Sequence, residues 1–421
     1  MGASRRDVLK ASILLPMMAS AAGIDGVSQG VSMRVVVVGA GAFGGWTALE
    51  LQRRGARVTL VDAWGPGNAR ASSGGETRVI RATYGSRAIY TRMAARAMQL
   101  WQAWDAKWER GLFHKTGALW MFGADASFGR ASAAALKAQG LPLEELTAPA
   151  AAKRFPQISF DGISSALWEP EAGYLYARRA CEHVLLRFIA ESGAEKGDYR
   201  QAAVRGPLRF DGTPVRRIAL EGGDAIEADA FVFACGPWLG QLFPDVIGRR
   251  VTPTRQEVYY FGTAPGDTRY LDPQMPVWVD YGERLMYGIP GNANRGFKVA
   301  DDSSGPIFDP TAGSRDATPA GIDAARAFLT RRFPALAAAP LLGSEVCQYE
   351  ASPDSHFIVD RHPAAANVWI AGGGSGHGFK MGPAIGEHIA SVVLGTAQPE
   401  PQFALSRLSA TPAGGWEEKW S

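Results

Sequence analysis

Several short stretches of this 421-residue chain hold residue types at spacings that could do chemistry. In "RVVVVGAGAFGGWTALELQRRGARVTLVDA" (34–63), Gly39, Gly41 and Gly44 form a GxGxxG run with Phe43 inside it, and Asp62 follows at the end of the next apolar stretch. Glycines at that spacing let the backbone approach a pyrophosphate, and the following helix offers free N–H groups and its positive dipole end. The acid is placed to accept from the ribose hydroxyls of an adenosine. "GGETRVIRATYG" holds Arg78 and Arg81, and the planar guanidinium fork suits a carboxylate. Cys347 precedes the polar run "QYEASPDSHFIVD". It either packs as a small hydrophobe or acts through its sulfur, which a neighbouring cation would favour as thiolate. His356, Arg361 and His362 are candidate neighbours.

These residues require elements to position them. An apolar, β-branched run at 34–38 reads as a buried parallel strand, 43–54 as a helix and 57–61 as a second strand. Strand followed directly by glycine turn and helix is the context the GxGxxG run needs, but that motif alone leaves FAD and NAD unseparated. Two further segments of this kind lie far downstream, "DAFVFACGPWLGQLF" (229–243) and "NVWIAGGGSGHGFKMGPAIGEHIASVVLG" (367–395). The second reads strand, glycine turn with Gly374, Gly376 and Gly378, then Phe379, Lys380 and a helix. Such scatter implies a nucleotide-binding domain assembled from discontinuous pieces, an arrangement of two-lobed flavoproteins rather than of simple nicotinamide dehydrogenases.

Bulk properties narrow the class. The length allows two domains and a large core. Hydrophobic residues make up 46% and charged residues 20%, a globular profile. A net charge of +3 and no Lys/Arg run give no reason to expect nucleic acid as a partner. Cys181, Cys235 and Cys347 form no CxxC pair, so no zinc or other metal site is expected, and Cys181 and Cys235 read as core. The N-terminus "SRRDVLKAS" (4–12), the apolar run at about 11–24 and "ASAAG" are too short to span a bilayer. They read as a twin-arginine-type signal over 1–30 and therefore export, with a cytoplasmic location if the signal does not function. No stable membrane insertion is expected.

Five pieces in order, "VVVVGAGAFGG", "GGETRVIRATYG", "YGIPGNANRGFK", "VCQYEASPDSHFIVDRHP" and "AGGGSGHGFKMGPAIGE", resemble the FAD-dependent amine oxidases of the D-amino-acid oxidase superfamily, in the monomeric sarcosine oxidase and N-methyltryptophan oxidase branch. The resemblance covers about residues 33–400 and implies FAD, with a thioether from Cys347 to the flavin 8α carbon. It implies hydride transfer from an amino-acid C–N carbon to flavin N5, giving an imine, and reoxidation by O2 to H2O2. It assigns the substrate carboxylate to Arg81 and Lys380, a position near the flavin to Arg78, and oxygen activation to Lys298 of "RGFKVAD". Tyr287 of "LMYGIP" becomes a pocket tyrosine, and relatives are commonly monomers. Trp278, Tyr259 and Tyr260 are further aromatic candidates for the pocket, though period-two alternation must turn some of them away. His377 reads as structural rather than as a base.

The chain departs from the pattern at three positions. A histidine pair of the sarcosine oxidases is replaced by Ser73 and Gly74, and a further histidine by Asp302. Sarcosine itself is therefore disfavoured, and a bulkier α-amino acid, N-substituted or cyclic, is expected. The expected fold is α/β: a discontinuous Rossmann-like FAD domain (33–112, 172–246, 345–400), an α+β substrate domain with a mainly antiparallel sheet (113–171, 247–344), and a tail at 401–421. Two alternatives remain: a dehydrogenase passing electrons to a quinone or carrier protein, and a flavin-binding protein without turnover.

Overall fold

The computed structural model describes residues 32–192, 197–282 and 284–409. The signal expected at 1–30 and the tail from 410 onward lie outside the described residues. The fold is mixed α/β, built on two large sheets.

The first sheet has six strands in the order Ile358–His362, Ala365–Gly372, Ala230–Phe233, Arg34–Val38, Arg57–Asp62, Gly197–Gln201. All neighbours are parallel except the Ile358–His362 edge, which is antiparallel. The central strands are unbroken apolar runs because both faces are covered. Val35, Val37, Val58 and Leu60 pack against the helices Ala42–Arg53, Ala88–Trp108, Ala177–Glu191 and Gly382–Val393. Val36, Val38, Phe231 and Phe233 turn the other way, onto Ile218, Ile226, Leu239 and Phe243.

The second sheet has eight strands in the order Leu341–Ala351, Thr252–Phe261, Phe297–Asp301, Leu285–Ile289, Val277–Tyr281, Ala118–Phe122, Ser165–Glu169, Glu144–Thr147. It is antiparallel throughout except for the parallel pair Val277–Tyr281 and Ala118–Phe122. Cys347 lies on the Leu341–Ala351 strand, opposite Gln256. Position 345, where the third FAD-binding piece is expected to begin, thus falls inside a strand of this second sheet. A small three-stranded sheet, Thr77–Ile80, Gly173–Tyr176 and Phe113–His114, carries Arg78.

Period-two alternation sorts the aromatic candidates onto two faces. Tyr259, Phe261, Trp278, Met286, Phe297 and Val299 form a core with Phe328 and Leu329 of the helix Pro319–Arg332. Val258, Tyr260 and Ala300 cluster on the opposite face, with Tyr287 packed against them. Trp278 therefore does not line a pocket. Its ring stacks on Phe297 at 5.8 Å and Phe328 at 5.3 Å, and it is 0% exposed. Tyr259 is on the same helix-covered side, its hydroxyl bonded to Glu257. Trp278→Ala is expected to lower stability by about 3–5 kcal/mol through loss of buried area and a residual cavity, with KM for substrate unchanged. Denaturant unfolding and steady-state kinetics on the same sample check this, and a KM rise at unaltered stability would return Trp278 to the pocket.

Candidate active site and cofactor cleft

A cleft of about 650 Å³ opens at the carboxyl ends of the central parallel strands, lined by Gly39, Gly41, Phe43, Asp62, Arg78 and Tyr349 among others. The glycines are required sterically. Gly39 has φ +106°, and a Cβ there would lie 2.3 Å from Ala234 O; a Cβ at Gly44 would lie 1.8 Å from Gly39 O. The turn and the helix start can close on the strand only without side chains. Asp62 accepts from the backbone N–H of Ala40 (2.7 Å), Trp64 (2.9 Å) and Gly65 (2.7 Å). Burial pushes its pKa up, partly offset by those three donors.

The second glycine turn closes the other wall. Gly374, Gly376, Gly378 and Phe379 line the cleft, and Gly376 has φ +76° with the Tyr349 ring against it. Two buried oxygens on cleft-lining residues, Ser72 Oγ and Glu350 Oε2, have no partner among the described residues. A long glycine-walled cleft with orphaned buried oxygens fits an extended dinucleotide. The residues present therefore suit FAD, and Gly39, Gly41 and Asp62 are among those that would hold it.

Three expected site residues meet at one end. Arg78 donates to Cys347 Sγ at 3.0 Å, to Ser72 O at 2.5 Å and to Thr77 O at 2.9 Å. Lys298 Nζ donates to the same Thr77 O at 3.1 Å. Lys298 is 1% exposed. Burial, and then the like charge of Arg78, bring its pKa down to about 7. Tyr287 lies 5.8 Å from Lys298 Nζ, measured to its ring centre. Burial and then Asp302 hold the Tyr287 hydroxyl well above its usual range.

The cation at Cys347 is thus Arg78, from a different sheet, and none of the three expected neighbours. His356 Nδ1 is bonded to Tyr90 Oη at 3.0 Å. Arg361 lies over the Trp369 ring at 4.7 Å. His362 packs against Phe210 and Phe243.

Arg81 and Lys380 form a second cluster around Tyr84, and both are buried. Arg81 donates to Thr83 O and lies over the rings of Tyr84 (4.2 Å) and Trp120 (5.0 Å). Lys380 Nζ donates to Tyr84 Oη at 3.1 Å and to His377 O at 2.9 Å. Burial pushes the Tyr84 hydroxyl up to about 12, against the pull of Arg81. Behind Arg81, buried Glu169 accepts from Ala82 N, Thr83 Oγ1 and Trp120 Nε1. His377 is held between Ser355 O (2.9 Å) and Tyr84 Oη (3.3 Å).

The departures have clear settings. Ser73 Oγ accepts from Ala42 N at 3.2 Å and so caps the first helix. A Cβ at Gly74 would lie 2.0 Å from Asn68 O, so no side chain fits there. Asp302 accepts from Tyr349 Oη at 2.7 Å, which sets an acid beside the aromatic wall. Tyr84, Tyr349, Glu169 and Glu350 were not singled out from sequence. Tyr349 and Glu350 follow Cys347 within a quoted motif, but only the fold reveals which cavity they face.

The sequence profile described as FAD dependent oxidoreductase matches residues 34–392. Monomeric sarcosine oxidase of Bacillus sp. (strain B-0618) is 30% identical over 381 residues, covering 88% of this chain and 94% of that protein. N-methyl-L-tryptophan oxidase of Salmonella dublin is 28% identical, covering 89% and 99%. Among solved structures, fructosamine oxidase (Amadoriase II) from Aspergillus fumigatus has a TM-score of 0.77 at 21% identity, covering 92% of this chain and 93% of that one. L-proline dehydrogenase from P. horikoshii has a TM-score of 0.76 at 20% identity, covering 90% and 98%.

Proposed function

Because the chain belongs to the FAD-dependent oxidoreductase family, we propose that it oxidises the C–N bond of an α-amino acid or N-substituted amino acid bulkier than sarcosine, with oxygen as final electron acceptor. The observation that carries this reading is the pairing of two cation clusters, Arg81 with Lys380 around Tyr84 and Arg78 with Lys298 around Thr77 O. Bound FAD supplies the two-electron acceptor.

The chain's own residues do the rest. Arg81 and Lys380 take the substrate carboxylate, the first through its planar fork and the second as a point charge. The half-buried Tyr287 ring, beside Lys298, contacts the remaining body of the substrate in this reading. Lys298 holds positive charge, preorganised and out of water, where oxygen reduction develops negative charge. Asp302 and the missing side chain at Gly74 support a pocket unlike one tuned to sarcosine. An anaerobic panel of N-methyl, cyclic and unmodified α-amino acids, read by flavin bleaching, tests the class. Sarcosine as the best substrate would sink the size argument, and a flavin that no amino acid bleaches would sink the enzymatic one.

Cys347 is proposed as the covalent tether, supported by the Arg78 guanidinium 3.0 Å from its sulfur. An intact mass spectrum of denatured protein is expected to carry one added FAD, and Cys347→Ala none. Flavin lost from the wild type on denaturation removes the tether. The names of the sarcosine oxidase relatives support a monomer. Export is proposed on the order Arg5–Arg6, apolar run, small residues, and the same spectrum reads whether that segment has been cut away.

A further inference from the structure

We propose that Glu350 is a further cofactor-binding residue, which contacts bound FAD as the neutral carboxylic acid through the oxygen that has no partner within the chain. The inference rests on the FAD reading and goes beyond it by assigning a residue and its charge state.

Glu350 lines the cleft and is 9% exposed. Its Oε1 accepts from Gly374 N at 3.2 Å, and its Oε2 is buried with no partner among the described residues. The surrounding backbone is stripped of side chains. A Cβ at Gly374 would lie 2.9 Å from Oε1, and one at Gly236 or Gly372 would lie 3.4 Å from Oε2. Two glycine turns, from separate parts of the sequence, therefore close directly on this carboxyl. A buried polar oxygen in a ligand cleft with nothing to bond calls for a ligand partner.

The charge state follows from the neighbours. The other buried acids among the described residues are compensated: Glu76 by Arg295 at 3.0 Å, Asp280 by Arg332 at 2.8 Å, Glu169 by three donors. Glu350 has one backbone N–H and no ion pair among the described residues. Tyr349 adjoins it on its own strand, Cys235 faces it from the turn after Ala230–Phe233, and the Gly372–Gly374 loop brings no charge. Across the cleft stand Asp62 and Glu221, both acidic, and Arg78, which is committed to Cys347, Ser72 and Thr77. An unpaired buried carboxylate is costly and neutralises instead. Burial accordingly raises Glu350 to about 7, opposed only by the Gly374 donor. FAD brings a doubly negative pyrophosphate, which an ionised Glu350 repels and a protonated one can bond. Below about pH 7 the acid is already neutral. Above it, binding must take up a proton, so affinity falls by up to about tenfold per pH unit.

The test uses full-length Cys347→Ser protein carrying FAD, in which the cofactor is free to dissociate and released flavin is read by fluorescence. Between about pH 6 and about pH 8.5 the Kd for FAD is expected to rise roughly tenfold or more. Lys298 titrates in the same range and in the same direction, so added substitutions at Glu350 decide the cause. Glu350→Gln should hold the low-pH affinity and flatten the dependence. Glu350→Leu should also be flat, but roughly tenfold weaker at every pH; it keeps the test decisive if the glutamine variant fails to fold. A flat parent profile, or a rise that survives either substitution, overturns the proposal. A protein that binds no FAD at any pH overturns the FAD reading as well, an outcome distinct from flavin bound with a flat profile.

Discussion

Lys298→Met is expected to slow the oxygen half-reaction by roughly 10²–10³-fold while substrate-driven bleaching stays within a few-fold of wild type, the loss seen when one preorganised charge-stabilising donor is removed. Lys298 sits on the face of its strand opposite the helix-covered core of Phe297 and Val299, 1% exposed, with a hydrogen bond to Thr77 O beside the cleft-lining Arg78. A cation in that setting is fixed before oxygen arrives and costs no reorganisation when charge develops. Its pKa, lowered to about 7 by burial and then by Arg78, makes the charge itself conditional. The lysine is cationic below that value and neutral above it. The oxygen rate should therefore fall as pH rises through 7, or through a higher value if a nearby anion restores the cation. The methionine variant should lack that limb. Stopped-flow measurement of the two half-reactions across pH separates these effects, and equal losses in both would remove Lys298 from oxygen chemistry.

Arg81→Ala is expected to lower kcat/KM for carboxylate substrates by roughly 10²–10³-fold, the range for truncating one partner of a buried, hydrogen-bonded charge pair. Amines without a carboxylate should lose far less. Arg81 is buried between the Tyr84 and Trp120 rings and anchored to Thr83 O, so its fork is held at a fixed angle. Arg81→Lys should recover only part of the loss, because an ammonium offers no planar pair of donors. Flavin content, measured by absorbance, should be unaltered in both variants. A uniform loss across acids and amines would mean that Arg81 shapes the site rather than reads the carboxylate.

The parts of this molecule that could be read from sequence are those in which function is local. The strand, glycine turn and helix at 34–53 are contiguous, and their chemistry depends on backbone that neighbouring residues determine. Lys298 stands in a short motif on a strand that is buried on both faces. Trp278 shows where this stops. Alternation separates Trp278 from Val279 but does not say which side the helix Pro319–Arg332 covers. Cys347 shows the same limit at longer range. Its candidate cations nearby in sequence are elsewhere in space, and its partner Arg78 is 269 positions away. Glu350 was still less visible, because its environment is made by Gly236 and Gly374, each from another part of the chain.

Cys347 belongs to the eight-stranded sheet, hydrogen-bonded along Thr252–Phe261, whereas the glycine turn at Gly39 and Asp62 belong to the six-stranded one. A flavin joined to that sulfur, as proposed, would be a rivet between two halves of the fold, covalent on one side and clasped on the other. Prising the sheets apart means dragging the dinucleotide out of its cleft, so the loaded protein should resist unfolding mainly through a slower opening rate. Assembly acquires an order: both sheets must be in place before the rivet can set.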